Sequence, residues 1–173
     1  GISILELVDK STLDKWNLPT YETAFAHLNN RSVKETEKTS DFKTNLKGSD
    51  LAQFKRGALI YNREGYCGTC HQPDGKGLDK SGFPTLVSTP WVTGSEERLI
   101  KLVLNGLMGP IEVNGVKFSG QVPMTPFGSM LSDQEVADVL TYVRNAFDNK
   151  ASVIQPDKVK QVRADIKSKT GFY

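Results

Sequence analysis

Cys67-Gly68-Thr69-Cys70-His71 sets two thiols three residues apart with an imidazole directly behind them. Covalent haem attachment needs this arrangement: each sulfur adds across a vinyl group to form a thioether, and the adjacent histidine binds iron on the same face. Attachment and ligation come from one short segment, around which the rest of the chain has to be built. A redox dithiol shares the two-residue gap between the cysteines, but it does not need His71, and no βαβ setting is evident around the motif. A structural zinc site wants four ligands, and the sequence offers no second Cys or His pair beside its two cysteines.

With both cysteines committed to haem, none is left for a disulfide scaffold. The chain's 173 residues suit one domain with appendages, and 38% hydrophobic content supplies a modest core. Twenty-two basic and 20 acidic residues leave a net charge of +2, which does not call for nucleic acid. No run approaches the roughly 18 apolar residues of a membrane span. Gly1 is not followed by a charged and apolar export segment, so the chain reads as a processed protein or an excised domain.

Three regions are expected. Residues 1–50 form an N-terminal helical extension and a polar connection: Tyr21, Ala24, Phe25 and Leu28 share a helical stripe, and residues 29–49 are too poor in apolar side chains to build a core. Residues 51–150 carry the chemistry. Ser49 or Asp50 caps a helix through about Arg63 with Leu51, Phe54, Ala58 and Tyr61 on one face. Ser95 starts a second helix that Gly106 closes. Ser132 and Glu135 form a capping box ahead of Val136, Val139, Leu140, Val143 and Phe147. Before that helix, Asn114-Gly115 between alternating segments predicts a small β-hairpin. Residues 151–173 form a tail helix that starts at Pro156, with Val159, Val162 and Ile166 as its stripe and a solvated basic face.

What fills the sixth position of iron bound by His71 separates an electron carrier from a catalytic or gas-binding haem. Of the three methionines, Met124 is favoured, because Pro123 and Pro126 bias its backbone toward an extended, low-entropy segment. Met108 and Met130 read as core filler. His27 lies off its helix's apolar stripe and reads as peripheral rather than as a ligand. Trp91 has one N–H donor that a haem propionate would satisfy, and core packing is the other reading of that residue.

Residues 51–148 resemble the class I cytochromes c. Gly57 and Tyr61 look like that family's first helix, in which a glycine lets the C-terminal helix cross closely, and Tyr142 looks like the residue facing it. Pro123-Met124-Thr125-Pro126-Phe127-Gly128 followed by Leu131-Ser132-Asp133 resembles the loop that brings methionine to iron. Asn62-Arg63-Glu64-Gly65-Tyr66 departs from the pattern by placing more residues than usual between Tyr61 and Cys67. The segments 83–86 and 106–115, with Trp91, are similar to cytochrome domains partnering periplasmic quinoprotein dehydrogenases.

The resemblance implies an all-α cytochrome c fold: helices around one haem c held by Cys67 and Cys70, with a small β-hairpin and helical extensions at both ends. It implies that the Pro84 carbonyl bonds the far nitrogen of His71, fixing its tautomer and raising its basicity. It also implies a periplasmic or otherwise extracytoplasmic location, since haem attachment follows export. The expected role is a one-electron carrier between a dehydrogenase donor and an oxidase or reductase acceptor, with no catalytic residue of its own. Lys76 and Lys80 either ring the haem edge or are ordinary solvated lysines. The competing function is an open-site haem enzyme or gas-binding protein in which Met124 does not hold iron.

Overall fold

The two longest helices among the described residues cross where a glycine lets them approach. The computed structural model describes residues 44–167 and 171–173. The expected helix over residues 21–28, His27 and the polar connection up to residue 43 lie outside the described residues. In chain order the elements are α1 (Gly48–Tyr61), α2 (Cys67–His71), a single 3-10 turn (Asp79–Ser81), α3 (Pro90–Thr93), α4 (Glu96–Asn105), β1 (Ile111–Val113), β2 (Val116–Phe118), α5 (Asp133–Asn145) and α6 (Pro156–Ile166). This is the expected mostly helical architecture, and β1 pairs antiparallel with β2 in register Ile111 with Phe118. Asn114 and Gly115 take φ of 50° and 83°, the primed-turn geometry that suits strand twist.

α1 begins before the expected cap. Lys47 is its N-cap and contributes no side-chain bond, and the helix ends at Tyr61, not Arg63. Phe54, Ala58 and Tyr61 are fully buried on one face. That face crosses α5 in the most extensive helix pairing among the described residues. A Cβ at Gly57 would overlap the Asp138 carbonyl and lie 2.8 Å from the Tyr142 Cβ, so only glycine permits the approach. Arg56 seals the crossing with two bonds to the buried Asp138 carboxylate, at 2.7 and 2.9 Å.

α5 starts with both halves of the expected capping box in place. It stops at Asn145, ahead of Phe147, which takes φ +56° and turns its ring onto Tyr61 and Tyr142 at 5.3 and 5.5 Å. Aromatic packing thereby overrides the helical period. α6 packs on α4 and α5, and Ile154, Val159, Val162 and Ile166 join the same buried cluster as α1, α4 and α5. Among the described residues no helix is long and apolar enough to cross a membrane.

Candidate functional site

α2 is a five-residue helical turn, and positions i, i+3 and i+4 of a helix share a face. Cys67, Cys70 and His71 occupy those positions, and all three line one cleft of about 440 Å³. His71 Nδ1 lies 2.8 Å from the Pro84 carbonyl oxygen. A carbonyl can only accept, so Nδ1 carries the proton and Nε2 keeps the lone pair that a metal needs. Burial holds the imidazole pKa below its ordinary value, with the Pro84 bond opposing. Pro84 is itself held in place. Leu78 pairs with Phe83, the Leu86 amide donates to Gly75 O at 2.7 Å, and buried Asn149 donates to Leu86 O at 2.9 Å.

Met124 lines the same cleft. Its amide donates to Leu107 O at 2.9 Å, and the Leu107 amide donates back to Met124 O at 3.2 Å. These two bonds close the base of a loop that contains the β1–β2 hairpin. Gly106, the C-cap of α4, has φ +71°, and a Cβ there would overlap the Met124 carbonyl and sit 3.0 Å from Pro126 N. Helix termination and placement of the methionine loop are therefore one requirement on one glycine. Met108 and Met130 do not fill the core as expected, being 57% and 48% exposed. Neither lines the cleft.

Trp91 lines a smaller pocket of about 90 Å³, whose walls also include Cys67, His71, Pro84 and Met124. Its indole N–H donates to Glu112 O on β1 at 2.8 Å. The donor expected to face a propionate instead anchors the hairpin, assisted by Asn114 Nδ2 on Val87 O at 3.2 Å. Lys80 lines the larger cleft, whereas Lys76 pairs with Asp74 at 3.1 Å.

The residues present fit a covalently held haem. Two cysteines, an imidazole with its Nε2 lone pair available and a thioether converge on one cleft, and the adjoining pocket adds the aliphatic walls of Leu99, Leu102, Val139 and Leu140. The rival redox dithiol fits poorly. Burial pushes the Cys67 thiol up to about 11, whereas a reactive dithiol requires a lowered value. Sequence reasoning missed one member of the site, Tyr66, which lines the cleft, and one role, that of Trp91 as a hairpin anchor. The first was legible only as a surplus of residues before Cys67, and the second depended on a contact across 21 positions.

Residues 54–147 match the family model described as Cytochrome c. The chain is 36% identical over 128 residues to cytochrome c-552 of Thermus thermophilus, covering 69% of this chain and 81% of that protein. It is 33% identical over 123 residues to the fructose dehydrogenase cytochrome subunit of Gluconobacter japonicus, covering 67% of this chain and 24% of the subunit. It is 32% identical over 101 residues to the cytochrome c subunit of the quinone alcohol dehydrogenase of Gluconobacter oxydans, covering 57% of this chain and 20% of the subunit. The match thus spans about a quarter or less of either dehydrogenase subunit. A family match over more than half the chain, joined to a cleft where both cysteines and the imidazole meet, establishes that the chain belongs to the cytochrome c family and has covalently bound haem c as its cofactor.

Proposed function

We propose that this protein is a one-electron carrier with a single haem joined to Cys67 and Cys70 and axial ligation by His71 and Met124. The observation that supports it best is that Met124, alone of the three methionines, shares the cleft with Cys67, Cys70 and His71. When bound, the haem supplies a reversible one-electron couple between ferric and ferrous iron. His71, its proton held on Nδ1 by Pro84, presents a fixed neutral nitrogen and does not reorient between oxidation states. Met124 presents a soft sulfur that favours the ferrous form and raises the potential. The Leu107–Met124 pairing keeps that sulfur at hand and closes the position to exogenous ligands. The aliphatic walls of the smaller pocket exclude water from the site. No protein bond changes in the cycle, which suits a relay and not a catalyst.

The electron donor in this reading is a dehydrogenase outside the cytoplasm, and the acceptor an oxidase or reductase. The fructose and alcohol dehydrogenase cytochrome subunits among the relatives support that assignment. Spectra of the ferric protein test the ligation. Wild type should show a thioether-to-iron charge-transfer band, and Met124→Ala should lose it, bind carbon monoxide when reduced and fall in potential on the order of 0.1 V, a fraction of the roughly 0.8 V that axial ligands span. An unchanged spectrum and potential in Met124→Ala would overturn the assignment and favour an open-site haem protein.

A further inference from the structure

The surplus residues between Tyr61 and Cys67 form a turn, with the Tyr66 amide donating to Arg63 O at 3.1 Å. That turn is tied to α2: Gly65 N donates to Thr69 Oγ1 at 3.1 Å, and Thr69 N donates to Tyr66 O at 3.0 Å. Tyr66 therefore moves with the attachment segment. Its ring stacks on Phe127, centroids 5.3 Å apart and planes inclined by 30°. Phe127 is buried three positions after Met124, and it anchors the methionine loop by donating its amide to Val103 O at 2.9 Å while its carbonyl accepts from Met130 and Leu131 at 3.0 Å. The Arg63 guanidinium lies 5.6 Å from the centre of the same ring, and that group also bonds Glu135 of the α5 capping box at 3.1 Å.

We infer that Tyr66 is a positioning residue for the axial methionine: its ring, in contact with both Arg63 and Phe127, couples the haem-attachment turn to the Met124 loop and holds the sulfur against displacement. The inference rests on Met124 being the sixth ligand. An aromatic pair beyond its area burial amounts to about a fivefold equilibrium bias, so its loss raises the population of loops with Met124 withdrawn by about that factor. A ligand that competes for the sixth position reads this population directly.

The test titrates imidazole against the ferric holoprotein under conditions where far-UV circular dichroism shows every variant folded. Tyr66→Leu should bind imidazole about fivefold more tightly than wild type, and Tyr66→Phe, which keeps the ring, should match wild type. A general loss of stability would not produce that split. If Tyr66→Leu does not mature, Arg63→Gln removes the cation from the ring face and should tighten imidazole binding about twofold. Unchanged imidazole affinity in the variant tested overturns the inference while leaving Met124 as ligand, provided wild type shows the thioether band. Absence of that band from wild type removes the ligand assignment and this inference together.

Discussion

A methyl group at Gly57 has nowhere to go. The atoms it would meet are the Asp138 carbonyl and the Tyr142 Cβ, parts of a helix that cannot yield without separating α1 from α5. Gly57→Ala should therefore lower unfolding free energy by about 3 kcal/mol, the upper range for overpacking, measured by denaturant titration of the holoprotein. Gly106 is constrained twice over, by its positive φ and by the Met124 carbonyl beside it. His71 depends for its tautomer on Pro84, 13 positions away.

The start of α5 depends on Ser132 and Glu135 acting together. Ser132 Oγ accepts from the Glu135 amide at 3.3 Å, and the Glu135 carboxylate accepts from the Ser132 amide at 3.0 Å. Ser132→Ala should cost about 1 kcal/mol, the usual penalty for a lost N-cap, read as a lowered melting temperature. The Ser132 amide bond, then the Ser132 hydroxyl and Arg63, holds the Glu135 carboxyl below its ordinary 4.5. A depressed carboxylate contributes stability above its unfolded-state value and loses it as pH falls through the folded-state value. Wild type should thus lose melting temperature more steeply than Glu135→Gln from about pH 4.5 downward, and the two curves should run parallel near neutrality.

Across the whole molecule, Arg144 joins segments far apart in the chain. From α5 its guanidinium donates to Val92 O and Gly94 O at 2.8 and 3.1 Å, and to Ser152 O and Oγ at 2.9 Å. It thereby fastens the α3–α4 junction and the connection to α6 onto one helix. Burial lowers its pKa, with Glu96 opposing. Arg144→Ala leaves three carbonyls without this partner and should cost about 3 kcal/mol or more, seen as a fall in melting temperature. Gln53 makes a similar link from α1, donating to Thr141 Oγ1 at 2.9 Å and Ile154 O at 2.7 Å. The segment after residue 150 is therefore knitted into the core by polar side chains as well as by Val159 and Val162.

The sequence by itself determined the features that are local. The attachment motif, the capping box, the Asn-Gly hairpin turn and the apolar stripe of α6 each act within a few residues, so their chemistry is written in consecutive positions. The prolines near Met124 singled it out for the same reason, and it lines the cleft. The tertiary structure decided what depends on residues far apart in the chain. Phe147 leaves the helical period to reach Tyr61, and the Trp91 N–H goes to Glu112. The exposure of Met108 and Met130 belongs to the same class. A side chain's environment is set by whichever distant segment packs against it, and no periodicity in one stretch of sequence records that choice.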